Sequence, residues 1–289
     1  MDDSKFLILG ANGQLGTALH EKYPNAKTTD IDELDITNET SVEDYDWSSV
    51  STILNAAAYT NVPEAENPEG RIAAWKANAT AVGHLSKVAN QHELTLVHIS
   101  TAYVFNGERK MHTEDEPLSP LSSYGSSKAA GDVAASQADK FYIIRSSAVI
   151  GDGGNFVRSI FELGKKGVSP KVVDDETDRP TFTSEITRAI DFLLSRNAPY
   201  GIYNVTNSGD IVTWADIARA VYNEAGFDNL EVFDSTAAVY FAGKAIADKR
   251  PVHSALDLTK MERLGFKFTD WRKDLAEYIK KELRMENGE

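Results

Sequence analysis

The sequence predicts an α/β fold, with a doubly wound parallel sheet and a smaller mixed α/β domain on its C-terminal side. A short apolar run leads directly into a glycine-rich turn and a helical pattern. Buried-strand patterns then alternate with helical patterns up to about residue 150, and the organisation changes beyond that point. Alternating strands and helices form parallel sheets, because each helix is the right-handed crossover between two strands.

Composition narrows the class of protein. The 289 residues, 42% of them hydrophobic, suffice for one large core or two modest ones. A net charge of −14 and a pI near 4.9 argue against a nucleic-acid or anionic-membrane surface, because either needs a basic face. The sequence has no cysteine, which excludes a disulfide framework, a thiol nucleophile and a Cys-ligated zinc. No apolar run approaches the ~18 residues of a membrane span, and the cytoplasm is the expected compartment.

The glycine-rich turn predicts a site for a dinucleotide cofactor. Residues 6–9 have the pattern of a buried strand and lead into Gly10-Ala-Asn-Gly-Gln-Leu-Gly16 and a helix that ends near Lys22. The glycines allow the backbone to approach a pyrophosphate, whose charge then meets the helix N-terminus. This arrangement is of the Rossmann type. The expected contacts are Gly10, Asn12, Gly13, Gln14, Leu15 and Gly16.

Such a site also needs an acid about 20 residues after the first glycine, to hold the adenosine ribose hydroxyls. Asp30 lies at that distance, although a solvated acidic loop is the alternative interpretation. Asp35 and Ile36 are expected at the adenine edge. The loop carries four acids and no arginine, which would repel a 2′-phosphate, so NADH is slightly favoured over NADPH.

The next predicted strand, residues 52–58, ends in small residues that let a backbone approach the cofactor. Its expected cofactor contacts are Ala56, Ala57, Ala58 and Tyr59. A long helix is predicted from Arg71 to His92, and Asn78 within it is interpreted as a surface or packing residue. The apolar side of this helix is expected to carry Ile72, Trp75, Ala79, Val82, Leu85, Val88 and Ala89.

A strand predicted over residues 94–99 carries Ser100 and Thr101 at its end. Ligands of open α/β sheets bind beyond the carboxyl ends of the strands, so both hydroxyls are expected at the site. Ser100 is a predicted cofactor contact. His98, inside the strand, is interpreted as a satisfied core histidine.

The following helix carries Tyr124 and Lys128 one turn apart on the same face, so that an ammonium can lie beside a phenol. A nearby cation favours phenolate and would bring the phenol pKa closer to the working pH of an acid–base catalyst. The same spacing occurs twice more, at Tyr23/Lys27 and Tyr240/Lys244. Only the copy at Tyr124 follows a strand that ends in Ser-Thr.

Beyond residue 150 the strand–helix alternation gives way to short strands and loops, and a capping box at Thr213 predicts a helix to Ala225. The predicted division is a dinucleotide-binding domain over 1–150, with returning segments near 171–205, and a smaller substrate domain over 151–170 and 206–289. Arg179, Lys249 and Arg250 are the expected counter-charges for an anionic substrate, or else solvated surface residues.

Together these motifs resemble the extended short-chain dehydrogenase/reductases and, within them, the dTDP-4-dehydrorhamnose reductase family, especially the reductase half of epimerase-reductase fusions. The resemblance covers nearly the whole chain. It rests on Gly10-x-x-Gly13-x-x-Gly16, Asp30, Asn55-Ala-Ala-Ala-Tyr-Thr60, Ser100-Thr101-x-Tyr-Val-Phe105, Tyr124-Gly-x-Ser-Lys128-x-x-Gly131 and Arg250-Pro251.

The resemblance implies NAD(P)H-dependent reduction of the C4 ketone of a dTDP-linked deoxysugar. It makes Thr101, Tyr124 and Lys128 the catalytic set. Tyr124 would protonate the developing alkoxide, Lys128 would tune it and hold the nicotinamide ribose, and Thr101 would hydrogen-bond the reacting oxygen. The implied substrate contacts are Ala102, Tyr103, Val104, Ala148, Asn155, Phe156, Arg179 and Arg250.

Four positions depart from the family pattern: Ala102 where an acid is common, Ala148 where a tryptophan is common, Asn106 where an aspartate is usual and Pro63 where Val-Asp is usual. Of these, Ala102 and Ala148 would enlarge or neutralise the sugar pocket. They leave the sugar open, so the alternatives are a reductase or epimerase of another nucleotide sugar and a catalytically quiet NAD(P)-binding regulatory subunit. A homodimer, a separate 3,5-epimerase partner and a carboxylate-bound magnesium ion are also left open. The six histidines are dispersed and predict no metal site.

Overall fold

The structure is a computed structural model and describes residues 2–243 and 249–287. Lys244, the last residue of the third Tyr-x-x-x-Lys copy, lies outside the described residues. The strands are β1 (Phe6–Leu9), β2 (Lys27–Thr29), β3 (Thr52–Asn55), β4 (Thr95–Thr101), β5 (Phe141–Ser146), β6 (Val149–Ile150), β7 (Lys171–Val173), β8 (Thr177–Asp178), β9 (Thr181–Phe182), β10 (Gly201–Asn204), β11 (Val212–Thr213) and β12 (Phe233–Ser235). The helices are α1 (Gln14–Lys22), α2 (Glu39–Asp44), α3 (Pro68–Trp75), α4 (Ala81–Gln91), α5 (Ser123–Ala135), α6 (Phe156–Lys165), α7 (Thr183–Ser195), α8 (Trp214–Ala225), α9 (Ala237–Tyr240), α10 (Thr259–Arg263) and α11 (Trp271–Asn287).

Six strands form one parallel sheet in the order β10-β5-β4-β3-β1-β2. Alternate residues of β1 enter different cores, as the two-residue period of a strand requires. Phe6 and Ile8 pack with α1 and α7 on one face, whereas Leu7 and Leu9 pack with α4 on the other. Helices therefore cover both faces, which confirms the predicted doubly wound α/β fold.

The helix predicted over residues 71–92 is interrupted. A π turn at Lys76–Thr80 separates α3 from α4. Ile72 and Trp75 are 60% and 42% exposed, whereas Val82 and Leu85 are fully buried. The single apolar side predicted for this helix is therefore wrong, because a π turn holds one residue more than an α turn and rotates the following face.

The C-terminal part has a core of its own. Helices α6, α8 and α11 pack together through Phe161, Ile217, Trp271 and Ile279. The predicted capping box at Thr213 is confirmed, since its hydroxyl and the Asp216 carboxylate bond each other's backbone N–H. The division into two domains stays a prediction. Across the described ranges no helix combines the length and the apolar content that crossing a membrane requires.

Helix α5 lies in backbone contact with the π turn. A Cβ on Gly131 would lie 2.1 Å from the carbonyl oxygen of Asn78. Asn78 is buried, and its side chain bonds both the N–H and the carbonyl of Tyr59 and donates to Ser127. It is thus a packing residue, the second of the two expectations. This contact sets how closely α5 approaches the sheet.

We expect Gly131→Ala to destabilise the protein by ~1–3 kcal/mol, because the added methyl group overlaps a backbone carbonyl. Gly83→Ala is the matched control. It lies in α4 with no atom within 4 Å of the added Cβ, so it should stabilise by about 0.5–1 kcal/mol through helix propensity. Urea unfolding measures both. Equal effects of the two substitutions would contradict the backbone contact.

Candidate active site

A pocket of about 500 Å³ lies beside the glycine turn, at the carboxyl ends of β1, β2 and β3. The predicted cofactor contacts that line it are Gly10, Gly13, Asp30, Asp35, Ile36, Ala56, Ala57, Ala58 and Tyr59. Ligands of open α/β sheets bind at this edge. The pocket is therefore the candidate dinucleotide site.

Close backbone contacts fix the glycine turn. Gly10 has a φ of +72°, and a Cβ there would lie 2.7 Å from the backbone nitrogen of Ala57. A Cβ on Gly16 would lie 2.1 Å from the carbonyl oxygen of Gly10. Asp30 is held beside the turn, because its Oδ2 accepts a hydrogen bond of 3.0 Å from the Asn12 N–H. The turn, the end of β3 and the acid are thus held together.

Leu15 and Gln14 are placed differently from the prediction. The Leu15 side chain is buried in the core, so only its backbone N–H, in the first turn of α1, can face a phosphate. The Gln14 side chain joins the turn to the loop after β6. Its Oε1 accepts from the Gly151 N–H at 3.0 Å, and its Nε2 donates to the Gly154 carbonyl at 3.1 Å.

Several residues of the pocket were not predicted from the sequence. They are Leu9, Thr29, Ile31, Leu34, Thr37, Ala73, Lys76 and Ala77. Ala73, Lys76 and Ala77 share a face at the end of α3 and the start of the π turn. The small side chains of Ala73 and Ala77 could have indicated a helix face that a ligand approaches. The sequence analysis instead assigned the buried side of this helix to a different set of apolar residues. Lys76 adds a cation to a pocket whose ribose side was expected to be acidic.

Thr101 and Tyr124 lie together at the end of β4. The Thr101 side chain lies close enough to the Tyr124 phenol to lower its pKa. Ser122 caps α5 by accepting from the Gly125 N–H at 3.0 Å, which places half-buried Tyr124 in the first helical turn. Ser100 points to the opposite face of β4 and is buried beneath α5, so its hydroxyl does not line the pocket as predicted.

Lys128 lies one turn after Tyr124 and is buried. Its ammonium donates to the Ile99 carbonyl at 2.5 Å. Asp132, one further turn along α5, supplies the compensating negative charge. Its Oδ2 in turn accepts from the Arg145 Nε at 2.9 Å. The three side chains form a chain of alternating charges between α5 and β5.

Burial dominates the titration of both catalytic candidates. It lowers the pKa of Lys128 to about 8, and the charge of Asp132 opposes that shift. It raises the pKa of Tyr124 to about 12, although the neighbouring Thr101 side chain has the opposite effect. The expected lowering of the Tyr124 pKa by Lys128 is therefore wrong for this structure. The ammonium is bound to a backbone carbonyl, and the phenol stays protonated at neutral pH.

Tyr103 connects Tyr124 to Arg250. The two tyrosine ring centroids are 6.2 Å apart in edge-on geometry, and the Arg250 guanidinium lies 5.7 Å from the Tyr103 ring centre. Arg250 also lies 5.9 Å from the Trp214 ring centre and pairs with Glu176 at 3.0 Å. The structure thus brings one predicted counter-charge close to the catalytic candidates.

A second, apolar cavity of about 160 Å³ adjoins Trp214. It is lined by Ala148, Val149, Ile150, Phe156, Trp214 and Ile217. Two predicted substrate contacts, Ala148 and Phe156, are therefore neighbours. The Phe156 ring packs edge-on against Trp214 with centroids 4.7 Å apart. Trp214 thus contacts both this cavity and the Arg250 guanidinium.

Four predicted substrate contacts are buried or engaged elsewhere. Ala102 and Val104 are fully buried in a small core cluster, since the chain turns into a 3₁₀ helix directly after β4. Asn155 caps α6 through its Oδ1. Arg179 is buried and donates to a backbone carbonyl. Ala102 and Val104 thus present no side chain to a substrate in this structure, whereas the substrate contacts of half-buried Asn155 and of Arg179 stay predictions.

His98 lies in the core as expected, but only one of its ring nitrogens has a protein partner. Nδ1 is 3.2 Å from the Asn55 amide nitrogen, whereas Nε2 has no partner. Burial, and then the charge of Lys128, lower the His98 pKa well below its usual value, so the ring is neutral. Among the described side chains, no group of three or more His, Asp and Glu is arranged to hold a metal ion.

Comparison with known proteins gives the family. The model of the RmlD substrate binding domain matches residues 4–284. The chain belongs to this family. It is 33% identical over 288 residues to a dTDP-4-dehydrorhamnose reductase of Aggregatibacter actinomycetemcomitans, with 94% of this chain and 97% of the relative covered.

Solved structures agree with this RmlD assignment. A dTDP-4-dehydrorhamnose reductase from Clostridium acetobutylicum matches with a TM-score of 0.87 and 32% identity, covering 95% of this chain and 98% of that one. A dTDP-4-dehydrorhamnose reductase from Bacillus anthracis, solved in complex with NADP, matches with a TM-score of 0.86 and 29% identity, covering 96% and 98%. The similarity extends over both ends of the chain.

Ala102 and Ala148, the two departures from the family pattern that concern the sugar pocket, have different consequences in this RmlD-family chain. The Ala102 side chain lies in the core, so its replacement of an acid does not change a wall of the site. Ala148 lines the apolar cavity beside Trp214. Only the second departure alters the space available to a ligand.

We expect the ¹³Cε resonance of Lys128 to titrate near pH 8 in lysine-labelled protein, because burial lowers its pKa. Asp132→Asn should move the titration to lower pH, since the carboxylate that opposes the shift is lost. Lys128→Arg removes the resonance and assigns it. The Lys128 pKa is about 8 in the folded chain and 10.5 in the unfolded chain, so the unfolded chain binds more protons between these two pH values. The contribution of Lys128 to the free energy of unfolding should therefore rise as pH increases from about 8 to 10.5. A titration above pH 10 would contradict the buried ammonium.

Proposed function

We propose that the chain is an NAD(P)H-dependent oxidoreductase that reduces the C4 ketone of a dTDP-linked 4-keto-6-deoxysugar, converting dTDP-4-dehydrorhamnose to dTDP-L-rhamnose. Its main support is the pairing of a protonated Tyr124 with Thr101 at the sheet edge that also holds the glycine-turn pocket. The family supports the substrate, because the relatives compared above are dTDP-4-dehydrorhamnose reductases.

Reduction of a ketone adds a hydride to carbon and a proton to oxygen. A bound NAD(P)H supplies the hydride to C4. Tyr124 donates its phenolic proton to the C4 oxygen, and its raised pKa keeps that proton in place until the oxygen gains alkoxide character. Thr101 donates a hydrogen bond to the same oxygen. The Lys128 ammonium, which donates to the Ile99 carbonyl in this structure, would hold the nicotinamide ribose and stabilise the phenolate that remains.

The substrate side is assigned to Arg250, Tyr103 and the apolar cavity. Arg250 carries the positive charge that a nucleoside diphosphate requires, and aromatic rings hold it in place. The cavity lined by Ala148 shares Trp214 with this guanidinium. Its open volume also favours the second candidate function, the reduction or epimerisation of another nucleotide sugar with the same catalytic set.

NADH is the proposed preferred cofactor. Asp30 lines the pocket, and its carboxylate is fixed by the Asn12 and Ile31 N–H groups. A 2′-phosphate on the adenosine ribose would meet this negative charge. Lys76, in the same pocket, partly offsets the repulsion. The cytoplasm, a homodimer, bound magnesium and a 3,5-epimerase partner remain predictions from the sequence.

Tyr124→Phe tests the proposed function. We expect turnover to fall by about 10²–10⁴-fold, because the proton donor is lost, with little change in NAD(P)H affinity. The assay follows NADH or NADPH absorbance with dTDP-4-keto-6-deoxyglucose and a 3,5-epimerase. Tyr23→Phe, in the other Tyr-x-x-x-Lys copy within the described residues, is the control and should keep its turnover. Tight cofactor binding without turnover by the native chain would favour a regulatory subunit.

Asp30→Asn tests the cofactor preference. The amide keeps an acceptor for the Asn12 N–H but removes the charge, so the NADPH/NADH ratio of kcat/KM should rise roughly tenfold. Asp32→Asn is the control, because Asp32 is exposed in the same loop and does not line the pocket. A ratio unchanged by Asp30→Asn would show that this carboxylate does not select the cofactor.

A further inference from the structure

Glu66 is a buried carboxylate that none of the proposed catalytic steps uses. It lies at the end of a short 3₁₀ helix, Glu64–Glu66, in the loop between β3 and α3. This loop begins with the alanines that line the glycine-turn pocket. The Glu66 side chain is only 1% exposed. A buried carboxylate is costly unless its oxygens are bonded, so its partners are informative.

The two carboxylate oxygens bond different parts of the chain. Oε1 accepts a hydrogen bond of 2.6 Å from the backbone N–H of Ser123, the first residue of α5. Oε2 accepts from the Lys249 ammonium. Burial raises the pKa of Glu66, but Lys249 and the Ser123 N–H outweigh it and hold the pKa below its usual value. The carboxylate is therefore charged at neutral pH.

Each partner is the chain neighbour of a residue of the proposed site. Ser123 precedes Tyr124, the proton donor, and Lys249 precedes Arg250, the proposed diphosphate partner. Glu66 therefore bonds the backbone beside the donor and the side chain of the residue beside the guanidinium. Tyr103 fills that space, with its ring 6.2 Å from Tyr124 and 5.7 Å from Arg250.

We infer that Glu66 is a positioning residue for the proposed reaction, which sets the distance from Arg250 to Tyr124 by binding Lys249 and the first turn of α5 at once. The inference rests on the proposed function. A guanidinium that is held in place beforehand binds the sugar nucleotide more tightly than one that must first be ordered, so the loss of this contact is expected to weaken substrate binding. Lys249 then binds Glu66 and not the substrate, contrary to its expected role as a counter-charge for an anionic substrate.

Glu66→Gln separates these two roles of Lys249. The glutamine amide keeps an oxygen that accepts from the Ser123 N–H. It removes the negative charge that binds the Lys249 ammonium. If Glu66 positions Arg250, KM for the sugar nucleotide should rise about tenfold while kcat changes less than about twofold. If Lys249 binds the substrate directly, freeing it should leave KM unchanged or lower it, and the inference is overturned.

Companion variants complete the kinetic test. Lys249→Met should raise KM as much as Glu66→Gln, the double variant should raise it no further, and Lys249→Arg should restore it. We call the Glu66–Lys249 contact the tether. Additive KM effects in the double variant would show that Glu66 and Lys249 act independently, which would overturn the tether. Glu69→Gln removes an exposed carboxylate three residues away and should keep native kinetics. NAD(P)H affinity should be unchanged in every variant, which separates repositioning from loss of the fold.

A thermal-unfolding cycle tests the tether without turnover. Glu66→Gln and Lys249→Met should each lower Tm, and the double variant should lower it by less than the sum of the two. If the native chain does not reduce the dTDP sugar but the Tm losses are non-additive, the proposed function fails and the tether stands. Additive Tm losses overturn the tether whatever the native chain reduces.

Discussion

The burial of the Lys128 ammonium is the constraint on which the rest of the site depends. A buried charge is tolerated only when it is bonded and compensated, and Lys128 obtains both from the Ile99 carbonyl and from Asp132. Asp132 is buried as well and requires Arg145. The Arg145 guanidinium then needs a further backbone carbonyl and an aromatic face, which the loop after β4 supplies. The polar contacts that compensate this one ammonium thus join β4, β5, α5 and that loop.

The same burial decides what the site can do as an acid. Tyr124 shares the low-dielectric end of β4, and burial raises its pKa to about 12 although the neighbouring Thr101 lowers it. A phenol that keeps its proton suits a reaction in which an oxygen becomes a strong base, because donation follows the charge that develops. Burial also lowers the pKa of Lys128 to about 8, which means that its positive charge is only partly compensated. A negative charge that forms nearby would therefore stabilise the ammonium.

The sequence predicted what depends on local chemistry. The glycine turn follows from the backbone freedom of Gly10 beside Ala57, and the fold class follows from strand–helix alternation. The positions of Ala102 and Arg179 could not be predicted, because their burial is set by segments far along the chain. Nor could the π turn, which moved the apolar face of a helix whose period had been read as continuous. The prediction that Lys128 lowers the Tyr124 pKa was wrong for a related reason. The sequence spacing places the two residues one turn apart, but it does not show that the ammonium points to the Ile99 carbonyl.

Contacts between the glycine-turn sheet and the C-terminal part fall beside the functional groups. Gln14, the first residue of α1, bonds Gly151 and Gly154 across the chain. Glu66 bonds Lys249 beside Arg250. The Gln14 contacts lie on the cofactor side of the site, whereas the Glu66 contact lies on its substrate side. The C-terminal part is therefore joined to each binding region by a different polar side chain, while the apolar cores on either side are packed separately.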